Sequence, residues 1–351
     1  MSGLAEIAAS ASGREIVVLG DLVCDEYVYG ETDRVSREAP VPIVRYERTE
    51  RRAGGGANAA ANVAALGARA RVVGVVGADE QGEALASLLR AAGADVSRVV
   101  AVAGRRTDTK TRLLAGGRNS RRQQLLRLDR GPDGPLPRAA EDAVIAALRD
   151  AAAGADALLV SDYGSGTLSP RVVAEVKKLA RAGLTVCVDS RYNLRAFGGV
   201  TVLKPNEVEL EQASPVEGTP DSSRAQSPDA AARFERSGRA LLRALACKAL
   251  LVTRGQSGLA LLRPRAATEH VPAHGAAEVV DVTGAGDTVM AAFTAALAAS
   301  GDFAASARIA NVAGALCVQK PGTATVGRAE LLAELAGVDA APRPANARIR
   351  R

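Results

Sequence analysis

Short apolar runs that recur between helix-length stretches constrain this chain more than any other feature. Residues 15–20, 71–77, 157–161, 185–189 and 249–254 are each rich in Val or Leu and too short to be helices on their own. A run apolar on both faces is buried on both faces, the signature of parallel strands covered by helices. The stretches between them read as helices, over residues 80–92, from Pro137 to 152, over 170–182 and over 231–246. The predicted class is therefore α/β, with a doubly wound, mainly parallel sheet. A chain of 351 residues suits one such fold with an elaboration.

Residues 101–130 break the rhythm. Their alternating runs, 109–114 and 123–128, read as antiparallel strands of a small accessory sheet, together with residues 41–46. This predicts a discontinuous β lid over about 27–52 and 98–129. The segment 101–130 holds nine Arg or Lys against two Asp, a local +7, whereas the whole chain has 45 basic and 39 acidic residues, a net +6. The excess of positive charge can thus be assigned to the lid. It fits either an anionic small ligand or a solvated strand face, and charge alone does not separate the two.

Other features set bounds. With 3% aromatic residues and no Trp, the stacking platforms of nucleic-acid binders are scarce, so nucleic acid is not an expected partner. Cys24, Cys187, Cys247 and Cys317 lie far apart with no C-x-x-C pair, which argues against disulfides and zinc. The N-terminus lacks a basic start followed by an apolar core, and no apolar run is long enough to span a bilayer, so a cytoplasmic protein with no membrane partner is expected. Residues 213–230, rich in Ser, Pro and Asp, read as a mobile surface excursion, and the tail 339–351 as frayed.

The most specific string is Asp281-Val-Thr-Gly-Ala-Gly-Asp287, followed by a small-residue apolar run. A glycine turn opening a helix aligns free backbone N–H groups with the positive end of the helix dipole and so cradles an anion. Asp287, just beyond Gly284, Ala285 and Gly286, can accept a proton from a hydroxyl attacking a bound phosphate. The alternative is an Asp that merely caps the helix; Thr283 or the glycines can already start it, which favours chemistry. Upstream, Gly54-Gly55-Gly56-Ala57-Asn58 runs into Asn62 and Leu66-Gly67. Bare glycines let sugar hydroxyls reach backbone amides, and Asn offers both donor and acceptor.

Both segments, in this order, resemble the two signatures of the ribokinase-like (phosphofructokinase-B type) carbohydrate kinases, over roughly residues 14–335. Within that family the chain is most similar to the D-glycero-β-D-manno-heptose 7-phosphate kinases. The narrower likeness is carried by Gly20-Asp21, Asp25, Tyr27, Arg34 to Pro42, Thr109 to Arg112, Gln123-Gln124, Arg127 to Asp129, Ser161-Asp-Tyr163 and Pro205-Asn206 with Glu209. The resemblance implies an ATP-dependent phosphotransferase acting at the anomeric hydroxyl of heptose 7-phosphate, in ADP-heptose and lipopolysaccharide core precursor synthesis. It implies substrate contacts from Asp21, Asp25, Gly54, Gly55 and Asn58, with Lys110 and Arg112 on the lid as phosphate ligands. Asn206, Glu207, Val208, Glu209, Thr253 and Gly255 are expected at the nucleotide, Glu209 reaching Mg²⁺ through water. A homodimer formed through the lid is expected as well.

Some residues depart from the relatives. Val188-Asp189-Ser190-Arg191-Tyr192 replaces an Asp-Pro-Lys-Gly common among them, which leaves open a related sugar phosphate. The heptose enzymes are often fused to a nucleotidyltransferase with an H-x-G-H motif, whereas His270 and His274 are spaced HVPAH, so adenylyl transfer is expected on another polypeptide. Pro272 between them disfavours the helix that i,i+4 metal ligation needs. A nicotinamide oxidoreductase lacks support, with no G-x-G-x-x-G after the first strand, and no Gly-Lys-Ser/Thr exists for a Walker-type ATPase. A non-catalytic sensor built on a decayed kinase would be expected to have lost Asp287 or the glycines.

Overall fold

A computed structural model of the chain describes residues 3–117, 122–216, 228–275 and 279–340. After helix α1 (Leu4–Ser10), strand β1 (Glu15–Val35) runs for 21 residues. Strand β2 (Pro42–Gly55) returns antiparallel to it and passes into helix α2 (Gly56–Ala65). Next come β3 (Arg69–Gly77), α3 (Glu80–Ala91), β4 (Asp95–Val102), β5 (Asp108–Gly116), β6 (Gln123–Arg130) and α4 (Arg138–Ala152). The middle holds β7 (Ala157–Asp162), α5 (Pro170–Arg181), β8 (Thr185–Ser190), β9 (Val202–Leu203), α6 (Glu207–Ala213) and α7 (Pro228–Leu245). The chain closes with β10 (Ala249–Thr253), β11 (Leu259–Leu262), β12 (Glu269–Val271), α8 (Ala285–Ser300), α9 (Phe303–Cys317) and α10 (Arg328–Ala340).

The main sheet has the order β4-β3-β1-β7-β8-β9-β10-β11-β12, parallel from β4 through β10 and antiparallel at β11 and β12. Its apolar runs are buried on both faces because helices cover both. One core packs Ile16, Val18, Leu85, Phe293 and Ile309 beneath α1, α2, α3, α8, α9 and α10. The other packs Val17, Leu19, Val144, Val176, Leu210 and Leu241 beneath α4, α5, α6 and α7. Strand order reverses at β1, whose neighbours are β3 on one side and β7 on the other. Ligands in open α/β sheets bind at the carboxyl ends of the strands beside such a switch point.

β1 does not stop at Gly20. It continues out of the main sheet, and from Leu22 to Val35 it pairs with β2, while β5 and β6 complete a four-stranded lid of order β2-β1-β5-β6. The expected boundaries need three corrections. Residues 98–102 belong to β4, which pairs parallel with β3 in the main sheet; the lid begins at Leu22 instead of residue 27; and β1 runs parallel to β5, so the lid is mixed, not purely antiparallel.

Pleating sorts the lid's charges. Asp25, Tyr27, Arg52, Lys110 and Arg112 share one face by register, and Glu26, Arg51, Thr111 and Arg130 the other. On the second face Glu26 meets Arg51 at 3.1 Å, Arg130 at 3.0 Å and Thr111 at 3.0 Å, while Arg51 reaches Glu80 of α3 at 2.8 Å. Farther out that face exposes Leu126, Leu128 and Tyr46.

The expected tail also changes. Residues 339 and 340 end α10, and the Asp339 carboxylate accepts from the amides of Leu4 and Ala5, each at 3.0 Å, joining the two termini of the fold. Residues 341–351, most of the Ser/Pro/Asp-rich stretch (217–227), and Arg118 and Arg121 of the basic segment lie outside the described residues.

Candidate active site

The site forms where two helix starts meet. α2 opens at Gly55, whose φ of 55° suits glycine, and α8 opens at Gly284, φ 80°, in the left-handed region. Asn58, in the first turn of α2, donates from Nδ2 to the Asp287 carboxylate in the first turn of α8 at 3.0 Å, and to the Gly284 carbonyl at 3.4 Å. The positive ends of both helix dipoles therefore face one space. Asn62 backs this contact: its Nδ2 donates to the Asn58 side chain at 3.1 Å, and its Oδ1 accepts from Thr288 at 3.2 Å.

Asp287 is 2% exposed, and its carboxylate bonds to no amide of its own helix, so it is not a cap. The Tyr163 hydroxyl donates to it at 3.1 Å (Oδ1) and 3.3 Å (Oδ2). Burial pushes its pKa up to about 7; Asn58 and Tyr163 oppose the rise by hydrogen bonding and Lys204 by its charge, while Asp189 adds to it. A carboxylate that titrates near neutrality is suited to general-base work. Asp281 acts structurally. It accepts from Thr283 at 2.9 Å (N) and 2.7 Å (Oγ1) and from the Gly322 amide at 2.8 Å, closing the turn onto the segment after α9.

Behind the cradle lies a buried ion pair. Lys204, just after β9, meets Asp189 of β8 at 3.0 Å, with side chains 6% and 15% exposed. Burial alone would lower the ammonium pKa, but Asp189, with Glu209 and Asp287 farther off, holds it above its usual value. A side chain built on Gly286 would lie 3.6 Å from Lys204 Nζ, so the cradle opens directly onto this cation. Neither Lys204 nor Tyr163 was singled out as a site residue from sequence. The signal for Lys204 was a lone charge closing an apolar strand.

The other expected substrate residues divide by role. Asp21 is 1% exposed, and its carboxylate accepts from the amides of Tyr163, Ser165 and Thr167 at 2.9, 3.0 and 3.1 Å, so it anchors the loop after β7. Asp25 pairs with Arg112 at 2.6 Å, both side chains nearly buried, at 5% and 13% exposed. A Cβ at Gly54 would lie 2.4 Å from Asp25 Oδ2, which explains the glycine. Lys110 holds its ammonium 5.0 Å from the centroid of the Tyr163 ring and makes no ion pair within 4.0 Å among the described residues. Of the two lid cations expected to bind phosphate, Lys110 is the available one, and Arg112 is engaged by Asp25. A cavity of about 440 Å³ adjoins this region, lined by Asp108, Asp129, Arg130, Gly164 and Ser165 among others. A larger cavity, about 630 Å³, lies at the opposite ends of the strands, where Glu15, Arg69, Arg71, Asp95 and Arg98 pair with one another or with Asp150.

Of the residues expected at the nucleotide, Asn206 and Thr253 are bridged backbone to backbone, and Gly255 opens the turn after β10. Asn206 and Glu209 form a capping box at α6, each accepting the other's amide at 2.8 Å. Glu209 Oε1 remains without a hydrogen bond among the described residues. Burial raises the Glu209 pKa, and nearby Lys204 opposes it. Glu207 pairs with Arg254 at 2.7 Å, and Val208 is exposed. His270 lies in β12 and His274 meets Glu334 at 2.7 Å, so the HVPAH pair does not converge on one point.

The model of the pfkB family carbohydrate kinases matches residues 14–329, and the chain belongs to that family. It is 44% identical over 325 residues to the bifunctional protein HldE of Halorhodospira halophila, covering 92% of this chain and 63% of that protein. It is 39% identical over 332 residues to the bifunctional protein HldE of Caulobacter vibrioides, covering 94% and 65%. The chain thus spans just under two thirds of the length of these curated relatives. Among solved structures, it shares the fold of Arabidopsis thaliana ribokinase complexed with ribose and ATP, at TM-score 0.67, 24% identity and coverage of 92% and 99%. Phosphofructokinase-2 from Escherichia coli in complex with substrates and products aligns at TM-score 0.71 and 19% identity, covering 92% and 99%.

Proposed function

We propose that this chain transfers the γ-phosphoryl group of ATP to the anomeric hydroxyl of D-glycero-β-D-manno-heptose 7-phosphate, giving the 1,7-bisphosphate and ADP. The observation that carries the reading is Asp287, buried and held by Asn58 and Tyr163 at the mouth of a two-helix anion cradle. The sugar hydroxyl gives its proton to Asp287 as its oxygen bonds to the γ-phosphorus, and the bond to the ADP oxygen breaks. The amides around Gly284–Gly286 and the Lys204 ammonium offset negative charge on the group in transit.

Glu209 fits a water-mediated contact to Mg²⁺, since it keeps one carboxylate oxygen free and Mg²⁺ retains several waters. The ion, when bound, neutralises phosphate oxygens. Asn206, Thr253 and Gly255 border the nucleotide, with exposed Val280 and Val282 offering apolar surface beside the turn. The choice of a phosphorylated sugar rests on Lys110, an available cation on the site face of the lid, and on the lid segments that resemble heptose 7-phosphate kinases. Lid closure over the sugar excludes water that competes for the γ-phosphate. Leu126, Leu128 and Tyr46, exposed on the outer lid face, support a homodimer through that face, tested by sedimentation at micromolar concentration.

The test of the function is incubation with labelled ATP and a panel of sugars and sugar phosphates, with products read by phosphorus NMR. A 1,7-bisphosphate formed from heptose 7-phosphate is expected. Equal transfer to the unphosphorylated heptose, or no transfer to any sugar, refutes the proposal.

A further inference from the structure

Tyr163 takes no part in the proton and phosphoryl transfers described above, yet it supplies one of the two side chains hydrogen-bonded to Asp287 among the described residues. Its ring is fixed at three points. The backbone amide donates to Asp21 at 2.9 Å, the Lys110 ammonium lies over the ring at 5.0 Å, and the hydroxyl reaches both oxygens of the carboxylate. Asp21 in turn accepts from Ser165 and Thr167, so the loop carrying Tyr163 is tied down on both sides of Gly164.

We infer that Tyr163 is a positioning residue for the base: its phenol and the Asn58 amide clamp the Asp287 carboxylate and leave acceptor capacity on Oδ1 for the sugar hydroxyl. The division of bonds supports this. Oδ2 takes the Asn58 amide and the longer contact from Tyr163, whereas Oδ1, among the described residues, takes only the phenol. The inference rests on the reading of Asp287 as the base.

The clamp has an electrostatic consequence. A donor to a carboxylate stabilises its charged form. The groups facing Asp287 are Asn58 from α2, Tyr163 from the loop after β7, Asp189 of β8, Lys204 after β9 and Cys317 of α9. Of these, Asn58, Tyr163 and Lys204 hold the pKa down against burial and Asp189. Removing the phenol oxygen takes away one of the three, so the carboxylate should hold its proton to higher pH.

The test is Tyr163→Phe, which keeps the ring beneath Lys110. The kcat–pH profile is expected to move its acid limb up by about one unit, so that turnover falls about fivefold at pH 7 and recovers almost fully at pH 9. KM for ATP should stay near the parent value. A second reading needs no turnover: the melting temperature against pH. The folded pKa of Asp287 lies above its unfolded value, so its contribution to stability is present at low pH and lost as pH rises through the folded pKa. In the variant that loss should extend about one unit further.

An acid limb and melting profile that superimpose on the parent's overturn the inference. Equal loss of turnover at every pH, or loss of the folded state, also overturns it, since either marks a packing role. If Asp287→Asn retains turnover, the base assignment itself fails. If Asp287→Asn is inactive while Tyr163→Phe keeps the parent profile, only the present inference fails.

Discussion

Arg112 separates two readings of the basic lid. As a free phosphate ligand, its loss would weaken sugar binding and leave the fold alone. As the partner of Asp25, at 2.6 Å with side chains 13% and 5% exposed, its loss strands a carboxylate at the base of the lid. Removing one member of a buried pair costs ~3–5 kcal/mol, and the residual exposure of Arg112 puts this site near the lower end. Unfolding entropy of ~2.1 cal/mol/K per residue gives about 0.7 kcal/mol/K for 351 residues, so 3 kcal/mol corresponds to a drop of about 4 °C. Calorimetry of ligand-free Arg112→Met at pH 7 should show this drop. The double variant Asp25→Asn/Arg112→Met, with no charge left unpaired, should recover at least half of it. An unchanged melting temperature combined with a large rise in the sugar-phosphate KM would refute the anchoring role.

Three further outcomes are expected. Lys110→Ala should raise the sugar-phosphate KM by ~10²-fold and leave that for ATP nearly alone, because losing a desolvated phosphate partner costs a few kcal/mol; steady-state kinetics with unchanged sugar KM contradicts this. Gly284→Ala places a Cβ 2.6 Å from Asn58 Nδ2 at a φ of 80°, so kcat should fall at least tenfold as Asn58 is pushed from Asp287; parent-like kcat in the folded variant refutes it. Because Asp287 titrates at about 7 when folded, far above its unfolded value of 3.8, the parent should lose stability relative to Asp287→Asn as pH rises from 5 toward 8 and level off beyond; a pH-independent difference contradicts the raised pKa.

Much of the fold was legible because burial on both faces leaves a direct imprint: continuous Val and Leu runs give the strands β3, β7, β8 and β10. The extension of β1 was not, since Asp25 and Glu26 interrupt the apolar pattern. Their charges are met across the lid by Arg112, Arg51 and Arg130, partners distant in sequence. The glycine turn and the place of Asp287 were legible because a helix start and the residue in its first turn are local in sequence. The structural roles of Asp21 and Arg112 were not, because a carboxylate bound by three amides and an arginine already paired look in sequence like free ligands. Tyr163 and Lys204 come to the site from β7 and β9, and only the sheet order sets them beside α8.

The central claim is that Asp287 takes the proton from the sugar hydroxyl during phosphoryl transfer. Its most direct measurement is the initial rate of phosphorylation of heptose 7-phosphate by Asp287→Asn, alongside binding of ATP and sugar phosphate to the folded variant. Turnover should fall by ~10²–10⁴ while both ligands still bind within a few fold of the parent. Turnover near the parent level in a variant that binds both ligands would contradict the account.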